Sequence, residues 1–184
     1  MTNQFKLLFL ALCFTNFNIV KASVYKIDTT QVEKFPLRFD LPNDHWHLAA
    51  SNPPVKYIFK RDPVTNADGR QIIPAIMILA EDASNFKQDV ALFCSQRMQP
   101  FQDRGVKVPR LLIWQDKDYP VAIKNSILAR GEYVDKDVDH IIYMIYVIDR
   151  HDKGIQVYLD MTKDIADQYE PEFLKTIRSL QLAP

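Results

Sequence analysis

The sequence is poor in the residues from which chemical motifs are usually built. It holds four glycines and two cysteines in 184 residues. It has no Gly-x-Ser-x-Gly elbow or comparable glycine-built turn to present a nucleophile beside an oxyanion site. A hydrolase triad therefore finds no support, and the chain is expected to be non-enzymatic and to carry no cofactor. Charge of one sign is missing too. The 23 basic residues balance 23 acidic ones, leaving no electrostatic footprint for nucleic acid or an anionic membrane. Internal repeats and low-complexity linkers are absent. With 47% hydrophobic and 25% charged residues, the chain has an ordinary globular composition, enough for one good core.

The scarcity of cysteine connects to the N-terminus. Residues 1–6 carry one positive charge, residues 7–14 form an unbroken apolar run, and Val20-Lys21-Ala22 puts small or aliphatic residues where a signal peptidase reads before Ser23. Residues 1–22 are expected to be a cleaved secretory signal, although Asn16 and Asn18 make its second half polar. Leu12 stands before Cys13 where a lipoprotein signal needs a small residue, which argues against lipid attachment. Cleavage removes Lys6 and Lys21 and no acid, leaving 21 basic against 23 acidic residues. Cys94 is then the sole thiol, so no internal disulfide forms and the fold must rest on its core.

What is present is a set of apolar runs, arranged around His140-Ile141-Ile142-Tyr143-Met144-Ile145-Tyr146-Val147-Ile148-Asp149-Arg150. Its eight consecutive apolar or aromatic residues are too few to span a bilayer and rich in β-branched and aromatic types. A strand with no polar alternation is covered on both faces, so this stretch is expected to be the central strand of a sheet with a layer on each side. The polar turn 149–154 leads into residues 155–161, which do alternate and are expected to be a hairpin partner nearer an edge.

Upstream, residues 23–34 are a polar lead. Phe35, Leu37, Phe39 and Leu41 alternate as a half-buried strand closed by Pro42. Residues 44–50 are a helical turn or the start of a strand; Asn52-Pro53-Pro54 punctuates; residues 55–61 and 71–80 form a hairpin around a turn-rich loop. Phe86, Val90, Phe93, Cys94, Arg97 and Met98 follow helical spacing, with Ser84 as cap and Pro100 as stop, so one helix is expected over 84–101. Cys94 lies on its buried stripe as a small hydrophobe. Strands follow over 106–115 and 120–133. A last helix is capped by Thr162 or Asp164, restarts at Pro171 and carries Phe173, Leu174, Ile177 and Leu180 on one face. The whole reads as a single α+β domain over residues 35–182, a mostly antiparallel sheet covered by helices.

A resemblance can be attached to particular residues. Phe39-Asp40-Leu41-Pro42 followed by Trp46, the hairpin into an apolar strand, the middle helix, Gly154 opening the last strand and the ending Phe173-Leu174-Lys175-Thr176-Ile177-Arg178-Ser179-Leu180 together resemble the PsbP-like α/β/α sandwich. That group includes extrinsic photosystem subunits, Mog-type Ran-binding proteins and bacterial envelope or secretion-associated proteins. The resemblance implies a role in protein binding or assembly. It carries over no functional motif residue by residue.

Three constellations hold residue types that can do chemistry. His45 and His47 would face one side of a strand and, with His140 or a carboxylate, are candidate metal ligands, flanking Trp46. Asp135, Asp137 and Asp139, and separately Asp62, Asn66, Asp68 and Gly69, offer calcium-like spacing without the glycine and distal glutamate of an EF-hand, and read more simply as solvated turns. Asp139/His140 and Asp149/His151 are possible acid–base pairs lacking a nucleophile. The expected function is an exported periplasmic or secreted envelope protein that binds a protein partner through an aromatic patch including Trp46 or Trp114. The alternative is a periplasmic small-ligand or metal-binding protein with a pocket between sheet and helix.

Overall fold

In the computed structural model of the chain, residues 37–51 and 55–183 are described. The expected signal segment, the polar lead, Phe35, Pro36 and Asn52-Pro53-Pro54 lie outside them. The strands are β1 (Leu37–Arg38), β2 (Trp46–Ala50), β3 (Val55–Arg61), β4 (Val64–Thr65), β5 (Gln71–Ile72), β6 (Ala75–Asp82), β7 (Lys107–Ile113), β8 (Ser126–Asp135), β9 (Val138–Ile148), β10 (Lys153–Thr162) and β11 (Gln181–Leu182). The helices are α1 (Val90–Gln102) and α2 (Ala166–Ser179). Seven strands form one antiparallel sheet in the order β2-β3-β6-β10-β9-β8-β7. Two meanders, β2-β3-β6 and β7-β8-β9-β10, meet where β6 pairs with β10, and α1 makes the crossover between them.

Both faces of the sheet are covered, as the unbroken apolar run of β9 requires. Tyr143, Ile145 and Val147 of β9 pack with Ile155, Val157 and Leu159 of β10 and with Phe173 and Ile177 of α2. The alternate residues Ile142, Met144, Tyr146 and Ile148 pack with Phe93, Cys94, Met98 and Phe101 of α1. Each side chain so buried contributes about 1.5–3 kcal/mol, and the opposite parity along one strand fixes a helix–sheet–helix layering.

Several local expectations are corrected. β10 is the middle strand of the seven, between β6 and β9. Its polar positions are buried: Gln156 is 2% and Tyr158 3% exposed. Gln156 Nε2 donates to Glu81 Oε1 at 2.7 Å, Arg97 of α1 grips the same carboxylate through Nε and Nη2 at 2.6 and 2.8 Å, and Tyr158 donates to Gln156. A satisfied polar ladder beneath α1 thus produces the alternation that a solvent-facing strand would show.

The helix expected over 84–101 begins later. Residues Ser84–Phe86 make a separate 3-10 turn, Lys87 and Gln88 take left-handed φ of 50° and 64°, and Asp89 is the N-cap, accepting from the Leu92 amide at 2.9 Å. Pro100 lies inside α1 and Pro171 inside α2. Each removes one backbone donor, yet Phe101, stacked at a tilt on Tyr158 with ring centroids 5.1 Å apart, and the fully buried Phe173 hold the turns that follow. Among the described residues of the first alternating stretch, β1 is the part in a strand, paired with β11. Beyond it, the Asp40 amide donates to Ser179 Oγ and its carbonyl accepts from Thr176 Oγ1, so this backbone is satisfied by α2 instead of a neighbouring strand. The apolar stretch at 71–80 divides at Ile73-Pro74 into β5 and β6.

Candidate functional site

α2 crosses its face of the sheet nearer β10 than β7, and the uncovered corner is a cavity of about 440 Å³. Its floor is apolar, formed by Leu112 of β7, Leu128 of β8, Pro120 and Leu174 of α2. Its rim is charged. Arg110 of β7 stands directly opposite Arg130 of β8 in the antiparallel register, and α2 brings Glu170 and Arg178 to the same opening. Like charges in directly opposed positions destabilise a strand pair, so each guanidinium needs an anion.

Arg130 has two. Its Nη1 donates to Glu132 Oε1 at 2.8 Å and its Nε to Glu170 Oε1 at 3.1 Å. Burial alone would lower its pKa, but these two carboxylates outweigh it and hold the guanidinium protonated. Tyr143 also donates to Glu170. Its hydroxyl is pushed up to about 12 by burial, with the Glu170 carboxylate adding to the effect. Arg110 is less well served, reaching Asp118 at 3.8 Å in a pair that is 55% and 74% exposed and contributes little. Arg178 is exposed and makes no ion pair among the described residues. With three guanidinium groups around its opening and leucines beneath, the arrangement is suited to holding an anion.

On the opposite side of β7 lies a second surface. A register irregularity falls between Lys107 and Arg110, and Pro109 lies within it; both blunt the first half of this sheet edge. The second half, from Arg110 to Ile113, pairs regularly with β8, and its end is closed by the following turn, where the Ile113 amide donates to Asp116 Oδ2 at 2.7 Å and its carbonyl accepts from the Asp116 amide at 2.9 Å. Leu111, Ile113 and the following Trp114 are 46%, 40% and 41% exposed. The Trp114 ring meets Tyr119 edge-on at 6.2 Å. Trp114 is therefore on the surface, as expected of an interaction residue.

Trp46 is not. It is 4% exposed, lies 5.9 Å from Phe173 and donates through Nε1 to Glu172 Oε2 at 2.7 Å. It belongs to the core beneath α2. His45 and His47 do share a side: their Nδ1 atoms approach the two oxygens of Asp62 at 3.1 and 3.7 Å. His140 lies four strand intervals away across the sheet, roughly 19 Å at the usual spacing, so it cannot join them around one ion. It instead meets Asp160 Oδ1 at 3.3 Å and stacks on Tyr133 at 4.8 Å. Burial lowers its pKa, but the hydrogen bond and charge of Asp160, with Asp135 and Asp164 adding, raise it overall. Among the described residues no group of three His, Cys, Asp or Glu side chains is placed to hold a metal.

The two calcium-like stretches meet. Asn66 and Asp68 from one loop and Asp137 and Asp139 from the other line a single depression of about 360 Å³ with Asp164, but Arg70 and Lys163 line it too, and Asn66 donates to Asp164. Lys136 and Asp137, at φ 48° and 64°, form the two-residue turn joining β8 to β9. Asp149 is likewise a turn residue, accepting from the amides of His151 and Lys153 at 2.8 Å each. Neither acid–base pair forms: His140 turns to Asp160, and His151 meets Arg150. The arginine cavity was not anticipated. The spacing of Glu170, Leu174 and Arg178 by four, one stripe of a helix, was its signal in the sequence.

No protein-family model matches the chain, and no curated protein matches it in sequence. Its fold is similar to that of LpqN of Mycobacterium tuberculosis, a protein involved in cell envelope biogenesis, at TM-score 0.56 and 12% identity over 80% of this chain and 84% of that one. It is also similar to PA94 of Pseudomonas aeruginosa, a protein of unknown function named as a candidate regulator, at TM-score 0.52 and 15% identity over 76% of this chain and 99% of that one. At these identities the likeness establishes a shared α+β fold, an antiparallel sheet with helices on it.

Proposed function

We propose that this chain is an exported, envelope-associated accessory protein, without enzymatic activity of its own, that binds a partner protein through the apolar side chains of Leu111, Ile113 and Trp114 on β7 and the turn after it. The observation that carries the reading is the apolar patch of Leu111, Ile113 and Trp114, each 40–46% exposed side by side on the outermost strand and the turn after it. Contiguous exposed apolar and aromatic side chains mark surfaces that another protein covers. The edge backbone itself is closed at Ile113 by Asp116, so side chains supply the contact. The leader-like residues 1–22 and the fold shared with LpqN, itself involved in cell envelope biogenesis, support the setting. The layering of helix, sheet and helix is also the one that the PsbP-like resemblance implies.

The test is site-specific photo-crosslinking in host cells. A photoreactive residue at position 111 is expected to give one discrete product in the envelope fraction that Ile113→Lys abolishes. The same probe at Leu92, an exposed apolar residue of α1, is expected to give none. Identical products from both positions, or a product that survives Ile113→Lys, would overturn the apolar patch as the docking surface. Mass spectrometry of the same fraction checks the removal of residues 1–22.

A further inference from the structure

We infer that the cavity between α2 and the β7–β9 corner of the sheet binds a monoanionic amphiphile, a carboxylate bearing a hydrocarbon chain, with the head held by Arg178 and Arg110 and the chain laid over Leu112, Leu128 and Leu174. This site is on the opposite face of β7 from the apolar patch of Leu111 and Ile113 and does not depend on it.

Three observations lead there. First, the register sets Arg110 directly against Arg130 on one face of the sheet, and only Arg130 is answered by close carboxylates of the fold. A like-charge pair at opposed positions costs stability unless an anion sits between or beside them. Second, α2 adds a third guanidinium, Arg178, which has no ion-pair partner among the described residues. A further cation placed at the same opening deepens the demand for negative charge. Third, the floor beneath these heads is leucine, and the space of about 440 Å³ falls in the range of small-ligand pockets.

The charge count selects among anions. Glu132 and Glu170 answer Arg130, and Asp118 lies at 3.8 Å from Arg110, so among the described residues the guanidinium left without a carboxylate at this opening is that of Arg178 alone. One unanswered guanidinium matches a single carboxylate, whereas a dianionic phosphate would bring a second negative charge beside carboxylates already there. Planar guanidinium groups bind carboxylates through paired N–H donors, and the apolar floor leaves no polar partner for a second head group. A bare anion such as acetate would leave the leucines in contact with water.

The full chain is titrated calorimetrically with decanoate below its micelle concentration, and with decanol and acetate. Decanoate is expected to bind, while decanol binds at least about tenfold more weakly for want of the charged head, and acetate at least about tenfold more weakly for want of the chain. Arg178→Gln is expected to weaken decanoate at least about tenfold, and Arg110→Gln to weaken it further. Methyl resonances of Leu112, Leu128 and Leu174 are expected to shift on titration of the unaltered protein, a readout that needs no variant to fold. No decanoate binding, equal affinity for decanol or acetate, an affinity unchanged by the double arginine substitution, or methyl shifts confined to other leucines would each overturn the assignment.

Discussion

Glu172 is the point at which α2 is fastened to the β2–β3 edge of the sheet, and its replacement tests how much of the fold rests on one carboxylate. Its Oε2 accepts from Trp46 Nε1 at 2.7 Å and Arg61 Nε at 3.0 Å; its Oε1 accepts from Arg61 Nη2 at 3.2 Å and Asn43 Nδ2 at 3.1 Å. The two charged side chains are 10% and 18% exposed, and the Arg61 guanidinium lies 4.5 Å over the Tyr169 ring. Glu172→Gln keeps the shape, removes the charge and turns one acceptor into a donor facing a guanidinium. Two charge-assisted bonds are weakened and a mostly buried cation loses its counter-ion, at a cost of about 2–4 kcal/mol. For a domain of this size that is roughly 4–16 °C in Tm.

Urea unfolding followed by far-ultraviolet circular dichroism separates the parts of this cost. Arg61→Met and Glu172→Leu are each expected to destabilise, because each leaves the other charge unanswered. The double variant Arg61→Met/Glu172→Leu should lose much less than the sum. The pH dependence has a definite sign. Burial raises the Glu172 pKa, but the hydrogen bonds of Arg61, Trp46 and Asn43 outweigh it and hold the carboxyl below its ordinary value of 4.5. Its contribution is therefore present above that value and lost as pH falls through the lowered one, so the penalty of Glu172→Gln should shrink in acid. A single-variant cost under about 1 kcal/mol, or strict additivity in the double variant, would refute the reasoning.

Two further predictions concern β9 and β10. The folded pKa of His140 is raised above 6.5, so its stabilisation is complete below that value and is lost as pH rises through the folded one; wild type should lose more Tm than His140→Gln between mildly acidic and mildly alkaline buffer, and equal losses would remove the Asp160 pairing as a source of stability. At Gly154 a Cβ would stand 2.6 Å from Phe93 Cζ and 3.0 Å from Ala83 Cβ, against a ring that is fully buried between Phe86 and Tyr146. Gly154→Ala should therefore cost about 1–3 kcal/mol in chemical denaturation, partly restored by Phe93→Leu; an unchanged midpoint would show that the ring moves freely.

What could be read from the sequence alone divides along a physical line. β3 spans the residues its pattern marks out, Val55–Arg61 after the Asn52-Pro53-Pro54 break, and β9 is sheet-internal because eight successive apolar residues leave no face for water. Such signals are local, and each residue carries its own. β10 was misplaced because Gln156, Tyr158 and Asp160 look like a wet face. What keeps the first of them dry is Glu81, 75 residues earlier, held in turn by Arg97. Trp46 reads as a surface anchor for the same reason, since its partner Glu172 is 126 residues away. The arginine cavity belongs to this class as well. Arg110 and Arg130 are ordinary surface residues in any local pattern, and they become a site only when the register of β7 on β8 sets them face to face and α2 lays Arg178 beside them. A polar residue reads as exposed until its partner is known, and the partner is supplied by topology. It follows that β6 and α1 together allow β10 to be central: Glu81 of β6 gives the buried Gln156 amide its acceptor, and Arg97 of α1 holds that carboxylate in place and answers its charge, which offsets the desolvation cost that the alternating sequence announces.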